Sequence, residues 1–291
     1  MKTVTGDALT AAESFVMRNA RLLDRLRFGH HFRGESAEAV VAALRPYRNP
    51  DGGFGNALEP DLRGAGSQPV PVELALHILD EVDGFADPMV AGACDYLLSI
   101  ARPDGGVPWV LPSVRDTPRG PWWQADDEPA GSLNPTAGIV GLLHKRHVAH
   151  PWVEGATRFC RHGIDGVEEL EPYQAHSILT FLQYAPDRSW AARTFERLRP
   201  ALLACIELDP HAEGEVHRPL DFAPSPHALA RELFSDEVIE RHLDALVEAQ
   251  AEDGAWRVNF LVWNPLNAHE WNSFLTVQRL LTLRDYGRLV S

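Results

Sequence analysis

The chain is poor in cysteine, which excludes several classes of small stabilised domain. Its 291 residues contain three cysteines, Cys94, Cys160 and Cys205, far apart and without any Cys-x-x-Cys pair. A disulfide framework and a zinc knuckle both need closely spaced, paired cysteines. The pattern instead predicts buried thiols in a protein of the reducing cytosol.

Long apolar runs are also missing. No window approaches 18 uninterrupted apolar residues, and the first residues, MKTVTGD, lack the apolar stretch of a signal peptide. The sequence therefore predicts a cytoplasmic protein without an integral membrane segment. Alternating apolar and polar residues of useful length are absent as well, so we expect no β-sheet.

Basic charge is in deficit. The chain has 27 Lys and Arg residues against 41 Asp and Glu residues, and its net charge is −14. A nucleic-acid partner or an anionic membrane surface calls for a basic footprint, so both are disfavoured. The hydrophobic content of 45% is enough for a sizeable core, and the expected partner is a small molecule. The sequence leaves the oligomeric state open.

What the chain does contain is a repeated turn. The strings NPDGGFG at 49–55, RPDGGV at 102–107 and QAEDGAW at 250–256 share an Asp-Gly pair. Their aspartates lie 53 and then 149 positions apart (104 − 51 and 253 − 104), and the second interval is close to three times 50. A fixed period of this size is typical of stacked helical or strand units. It favours a single domain over 1–291.

The segments beside the turns differ in polarity. Segments 36–47 and 236–250, which precede a turn, carry one apolar stripe and one polar face. Segments 70–82, 134–143 and 269–283, which follow a turn, are apolar nearly all round, so we expect them to be covered on both sides. The sequence thus predicts alternating outer and inner helices.

Fainter copies fill the gaps between the strong ones. Asp165-Gly166 separates helical segments 152–162 and 172–184, the stretch 209–214 separates 190–206 and 226–234, and segment 8–28 supplies one further helix. We count six inner and about five outer helices. Prolines concentrate in the loops and first helical turns, where a missing N–H removes no helical hydrogen bond.

This pattern resembles the prenyltransferase and squalene-cyclase repeat. The closest match is QAEDGAW at 250–256, which resembles the QW motif of that superfamily. The resemblance covers most of the chain and implies an all-α fold, an α/α toroid of five to six helical hairpins. It also implies a structural role for the motif, in which the glutamine caps a helix and the aromatic ring packs on a neighbour.

The functional motifs of the family match less well. Class II terpene cyclases carry an Asp-x-Asp-Asp string whose middle acid protonates an alkene, and here the nearest string is QADD at 124–127. The zinc ligands of the protein prenyltransferases have no matching cysteine, and DDEPA at 126–130 lacks the last acid of a magnesium–diphosphate motif. The resemblance therefore implies no metal site and no cofactor, except Mg²⁺ if the substrate is a diphosphate.

In a ring of helices, the loops that enter the inner helices surround one mouth of a cavity. The first candidate cluster there is Glu59, Asp61 and Arg63, which combines two carboxylates with a guanidinium. Such a set suits acid–base chemistry and anion binding. The alternative is that Arg63 pairs with Asp61 and only fastens the loop.

The second cluster joins tryptophans to acids. Adjacent carboxylates disfavour each other's ionisation, so Asp126 or Asp127 is the predicted proton donor. Trp109, Trp122 and Trp123 offer π faces to a carbocation or a sugar. The alternative is a solvated acidic loop with tryptophans packed on the rim.

The third cluster opens the last inner helix. His269 is a candidate acid or base, and Trp263, Glu270 and Trp271 are candidate binding residues. His269 and Glu270 diverge by about 100° on a helix, so at most one of them points inward. The alternative is that Glu270 or Asn267 caps the helix.

Three residues from the weaker repeats complete the set of candidate binding residues. These are Tyr173, His176 and His227. A lone histidine on a helix is more often structural than functional, and the same residues fit a purely structural role.

The predicted function is acid-initiated cyclisation of an apolar isoprenoid in an aromatic-lined cavity. Two alternatives stay open: a carbohydrate-active lyase or hydrolase with paired carboxylates, and a non-catalytic binding or scaffold toroid. The residues that line the cavity discriminate among these three functions. An apolar, aromatic lining with one buried acid favours the cyclase, whereas two carboxylates in a polar groove favour glycoside chemistry.

Overall fold

The computed structural model describes residues 1–290, and its regular structure is helical, which confirms the predicted all-α class. The α-helices are α1 Gly6–Asn19, α2 Leu22–Arg33, α3 Ala37–Leu44, α4 Pro69–Glu81, α5 Met89–Ile100, α6 Leu133–Lys145, α7 Pro151–Asp165, α8 Pro172–Tyr184, α9 Arg188–Ala204, α10 Pro219–Phe222, α11 Asp236–Glu248 and α12 Pro265–Asp285. Short 3₁₀ helices cover Arg45–Tyr47, Pro112–Asp116 and Leu229–Leu233. Within 1–290 the only β pairing is isolated bridges.

The helices group into two compact units. Among the described residues, the terminal unit comprises residues 1–43 and 205–290, and the middle unit comprises residues 44–204. The expectation of one domain over 1–291 stays a prediction. None of the helices in the described residues has the length and apolarity needed to cross a bilayer.

The middle unit has two helical layers. Helix α6 packs between α4 and α8, while α7 packs on α5 and α6, and α9 packs on α8. Every residue of α6 from Pro135 to Leu143 is buried. The inner helices predicted over 70–82, 134–143 and 172–184 are thus confirmed as α4, α6 and α8.

The three strong Asp-Gly turns have the same internal hydrogen bonds. The carboxylates of Asp51, Asp104 and Asp253 accept from the backbone N–H two residues on, at 2.9, 3.0 and 3.3 Å. This short loop is an Asx turn, which aspartate stabilises with its own side chain. The following glycines have φ values of 91°, 95° and 95°, in the left-handed region that a side chain disfavours.

Each of these glycines also touches the backbone of another helix. Gly52 lies against Gly92 of α5, and Gly105 lies against Gly155 of α7. Gly254 lies against Ala11 of α1. A β-carbon at any of the three turn glycines would overlap the facing helix backbone, so the repeated glycine sets the distance between a turn and the helix it supports.

The QW-like segment links the end of α11 to the start of α1 and to its own turn. The side-chain amide of Gln250 donates to the carbonyls of Ala8 and Gly254, at 2.8 and 3.0 Å. The indole N–H of Trp256 donates to the Leu246 carbonyl of α11 at 2.8 Å. These residues fasten one helix end to another, and their role is structural.

Three details of the predicted helix pattern are wrong, two of them because local chemistry overrides the repeat. Segment 8–28 is two helices, because Ala20 is extended and Arg21 and Arg25 hold the break by bonding to Asp24 and the Ala20 carbonyl. Segment 226–234 forms only the 3₁₀ turn Leu229–Leu233, after two prolines that cannot donate helical hydrogen bonds.

The third detail is the fainter turn at Asp165-Gly166. Gly166 has a φ of −88° and simply ends α7, so the left-handed turn is missing there. The Asp165 carboxylate instead accepts the indole N–H of Trp190 on α9 at 3.0 Å. The 209–214 copy keeps more of the turn, since Gly214 has a φ of 89°.

A buried ion pair organises α2 in the terminal unit. Arg27 and Asp24 are both fully buried and 2.9 Å apart, and Arg21 also pairs with Asp24. The Arg27 guanidinium lies 4.7 Å from the ring of Phe274 on α12. A buried pair of this kind contributes to the arrangement of helices chiefly because losing one partner strands the other charge.

The contact between Gly105 and Gly155 supplies a test of the turn. Gly105→Ala should lower the free energy of unfolding by about 2 kcal/mol or more, because it adds left-handed strain to a backbone overlap. Gly155→Ala is the matched control: its β-carbon meets no atom closer than 3.8 Å, and alanine favours the helix by up to about 1 kcal/mol. Urea unfolding measures both, and equal losses in the two variants would contradict the account.

Candidate functional site

Helix α4 has one face that is only partly covered. Val70, Glu73 and Leu74 are half-buried and His77 is exposed, whereas most other residues of the helix are buried. Positions spaced by three and four residues share one face of a helix. The expectation that this helix is covered on both sides is therefore wrong, and its accessible stripe carries two titratable groups.

Glu73 lies where α4, α6 and α8 meet. Its carboxylate occupies the space that a side chain at Gly138 of α6 would fill, and the Ser177 hydroxyl of α8 borders the same space at 3.5 Å from the position of that missing β-carbon. No hydrogen bond or ion pair to Glu73 is found among residues 1–290. Burial without a partner raises the pKa of Glu73 from 4.5 to about 8, so the carboxyl holds its proton at neutral pH.

An aromatic cluster packs beside the start of α4. Its buried members are Leu62, Val110, Val114 and Trp123, and Val70, Trp109, Trp122 and Ala125 pack against them. The rings of Trp109 and Trp123 are stacked, with centroids 4.5 Å apart and planes 18° from parallel. Val70 is three residues before Glu73 on the same face, so this apolar, aromatic surface reaches within one helical turn of the acid.

Two loops of the middle unit are bound together at this place. The Gln68 side chain donates to Ser113 at 2.9 Å and accepts from the Leu111 backbone at 2.8 Å. The backbone carbonyl of Asp61 accepts a hydrogen bond from the backbone N–H of Gly120 at 2.9 Å. The structure thus brings the first and second predicted clusters together, although at least 46 positions separate them in sequence (109 − 63).

The acids of the first cluster are enclosed. Glu59 and Asp61 are buried, with 5% and 4% of their surfaces exposed. Arg63 is half-buried, and its guanidinium donates to the Pro60 carbonyl at 3.4 Å. Their predicted roles in acid–base chemistry and substrate binding stay predictions.

The acids of the second cluster are placed differently. Asp126 and Asp127 are both exposed, and Asp127 pairs with Arg115. Neither carboxyl is enclosed in the apolar surroundings that make a carboxylic acid a proton donor at neutral pH. The predicted donor role of Asp126 or Asp127 stays a prediction, and their exposure does not support it. Trp122 and Trp123 do line the aromatic cluster.

Tyr173 and His176 lie at the start of α8, three residues apart on one face. Tyr173 is exposed and His176 is half-buried. The helix is otherwise buried at positions such as Ala175, Ser177 and Ile178. The two predicted binding residues therefore stand on the accessible stripe of an inner helix, as Glu73 and His77 do on α4.

The third cluster belongs to the terminal unit. His269 is exposed and Glu270 is buried, so the two diverge as expected. The cap of α12 is Asn264, whose side chain accepts from Leu266 at 2.8 Å, and not Glu270 or Asn267. Trp271 makes edge contacts at 5.7 Å with both Phe260 and Phe274.

Two further predicted binding residues lie in the same unit. Trp263 is half-buried in the loop before α12, and His227 is exposed in the loop before the 3₁₀ turn Leu229–Leu233. The roles of these residues, and of His269, Glu270 and Trp271, stay predictions.

Glu73 and His77 are the residues that sequence reasoning missed. A signal was present: two polar residues four positions apart interrupt an otherwise apolar helix. On an inner helix such a pair shares one face. The apolar positions of segment 70–82 do not by themselves show this polar stripe.

The raised pKa of Glu73 predicts how stability depends on pH. Between pH 4.5 and about 8 the unfolded chain loses this proton while the folded chain keeps it. The free energy of unfolding should therefore fall as pH rises through this window, by up to about 1.4 kcal/mol per pH unit, and level off above it. Glu73→Gln should remove that part of the slope in urea unfolding.

Glu154→Gln serves as the control for this measurement, because Glu154 is exposed on α7 and pairs only with Arg158 at the surface. It should leave the slope unchanged. A wild-type slope identical to that of Glu73→Gln would show that Glu73 is ionised in the folded protein.

No family model matches the chain. A curated relative, the drimenyl diphosphate synthase of Streptantibioticus cattleyicolor, is 29% identical over 243 residues, covering 77% of this chain and 42% of the synthase. The chain thus spans less than half the length of the curated relative it matches.

Solved structures cover the chain more completely. A protein from Actinoplanes superposes with a TM-score of 0.56 at 16% identity, over 98% of this chain and 92% of that chain. A variant of the type II terpene cyclase MstE from Scytonema superposes with a TM-score of 0.56 at 12% identity, over 95% and 94%. MstE itself gives 0.53 at 13% identity. These likenesses confirm the predicted α/α-toroid fold class.

Proposed function

We propose that this chain is a type II terpene-cyclase-like enzyme that protonates an alkene of an isoprenoid and so starts its cyclisation. The fold of the type II cyclases and the relative named for drimenyl diphosphate support this reading. The observation that carries it is the position of the Glu73 carboxyl, packed against Gly138 and one helical turn from an aromatic surface, where burial raises its pKa to about 8.

The chemistry follows from this arrangement. The O–H bond of Glu73 breaks as its proton forms a C–H bond with the alkene, which leaves a carboxylate and a carbocation. A second alkene of the same substrate attacks the cation and closes a ring. The final cation loses a proton to water, so no net proton is consumed. Indole π faces, such as those of Trp109 and Trp122, stabilise positive charge without acting as nucleophiles.

The lining favours this reading over the two alternatives. A glycoside hydrolase or lyase needs two cooperating carboxylates in a polar groove, whereas the Glu73 carboxyl is next to Gly138 and Ser177. A scaffold would have no use for a desolvated acid without a partner. Glu59 and Asp61 are buried acids of the neighbouring loop, and we retain them as candidates for catalysis beside Glu73.

A diphosphate substrate is suggested by the name of the curated relative. Mg²⁺ would then bind mainly to the phosphates, with one or two carboxylates from the protein. The exposed Asp126 and Asp127 are oxygen ligands of that kind. Among residues 1–290 no three His, Cys, Asp or Glu side chains converge as a metal site.

The function is tested by product analysis. Purified protein is incubated with squalene and with C10 to C20 prenyl diphosphates, with and without Mg²⁺, and products are identified by gas chromatography and mass spectrometry. Wild type should form a cyclic product, and Glu73→Gln should lose roughly 100-fold or more in rate, because its amide cannot donate an acidic proton.

With squalene, which has no diphosphate to bind Mg²⁺, Asp126→Asn and Asp127→Asn are the matched controls and should keep most of the rate of alkene protonation. The wild-type rate should also fall as pH rises through about 8, as Glu73 loses its proton. Loss of activity in Asp126→Asn or Asp127→Asn, with Glu73→Gln active, would reassign the donor to the exposed pair. Failure to convert any of these substrates would contradict the proposed function.

A further inference from the structure

His77 stands one helical turn after Glu73 on the same face of α4. Side chains four residues apart on a helix have β-carbons about 5–6 Å apart. The two groups differ in access: Glu73 is half-buried against Gly138, whereas His77 is exposed. The accessible stripe of α4 therefore carries an exposed imidazole one helical turn from a half-buried acid.

The surroundings of His77 keep the ring neutral at neutral pH. Desolvation lowers the pKa of His77 from its usual value of 6.5. Asp80 and Glu81 of its own helix raise the pKa of His77, while Lys145 of α6 lowers it and itself pairs with Asp80 at 2.7 Å. A neutral imidazole has one nitrogen that accepts a proton and one that donates a proton.

The proposed reaction leaves Glu73 without its proton, and His77 is a titratable residue beside it. After each protonation of substrate, Glu73 is left as a carboxylate in surroundings that disfavour its charge. The neighbouring residues on this face of α4, Val70 and Leu74, have no titratable side chain that could supply a proton. The carboxylate must regain a proton before the next turnover.

We propose that His77 returns a proton from solvent to Glu73 after each turnover. This inference depends on the proposed function. One ring nitrogen of His77 takes a proton from water or buffer, and the other nitrogen gives its own proton to the Glu73 carboxylate. The ring is left as the opposite tautomer and resets by exchange with solvent, so protons balance and no further reactant is needed. His77 acts through Glu73 and touches no substrate.

The kinetic test separates the first turnover from the later ones. In His77→Ala the first turnover should keep its rate, because Glu73 starts protonated, while steady-state turnover should slow about 10-fold or more. Imidazole added to the buffer should restore the steady state. His144→Gln is the matched control, since His144 lies on α6 and bonds Thr157 of α7 at 3.0 Å; it should change neither phase.

A merely structural role for His77 would slow the first and later turnovers alike, without rescue by imidazole, and would overturn the inference. So would an unchanged steady state in His77→Ala. If the alanine variant does not fold, His77→Gln keeps the size and polarity of the side chain but does not titrate near neutral pH, and the same comparison applies.

A second measurement needs no substrate. The carboxyl band of Glu73 in the infrared spectrum is assigned by its loss in Glu73→Gln, and its change is followed after a pH jump across pH 8. His77→Ala should slow this change about 10-fold or more, with recovery on addition of imidazole. Equal rates in wild type and His77→Ala would overturn the relay.

The two measurements distinguish the two failures. If no isoprenoid is converted but proton exchange at Glu73 depends on His77, the relay stands and the proposed function falls. If an isoprenoid is cyclised with Glu73 as donor but exchange is independent of His77, the function stands and the relay falls.

Discussion

The structure depends most on a single constraint, the close approach of an Asp-Gly turn to the backbone of another helix. At Gly52, Gly105 and Gly254 the chain needs a left-handed φ and has no room for a β-carbon. The aspartate before each glycine closes the turn with its own carboxylate. Because glycine alone satisfies both requirements, the turn fixes the distance and direction at which each following segment enters the fold. Thr136 of α6 and Thr276 of α12 then bond the residues just after two of the turns, at 3.0 Å.

That placement has consequences for the candidate site. The long loops that leave the first two turns run to the starts of α4 and α6, and they meet through Gln68, Leu62 and Trp123. Packing of α4 against α6 leaves one stripe of α4 accessible, and the missing side chain at Gly138 makes space there for a carboxyl group. The site therefore depends on the absence of a side chain at Gly138 as much as on the presence of Glu73.

The electrostatic character of the site follows from the same geometry. A carboxyl group that is desolvated and has no cation beside it keeps its proton at neutral pH. Glu73 is such a group, whereas Asp127 lies at the surface and pairs with Arg115. A donor to an alkene must carry its proton at neutral pH, and the nearby tryptophans supply an apolar surface that tolerates positive charge. The fold likeness to type II terpene cyclases and this local chemistry are independent observations that support one proposed function.

The sequence by itself determined the helical class, the repeated turns and most inner helices, because these rest on local rules: an Asx turn, a glycine with positive φ and the periodicity of apolar residues. It also grouped Trp109, Trp122 and Trp123 with one another, whereas their contact with the loop of Asp61 was decided by the tertiary structure. Tertiary structure decided the rest. Whether Asp126 or Glu73 is enclosed depends on which helices pack over them, and no periodicity reports that. The break at Ala20 and the short turn at 229–233 come instead from local side-chain bonds and prolines, which override the repeat. The proton affinity of a carboxyl group is set by residues that are distant in sequence and close in space. Which acid keeps its proton therefore depends on the tertiary structure and not on the motif.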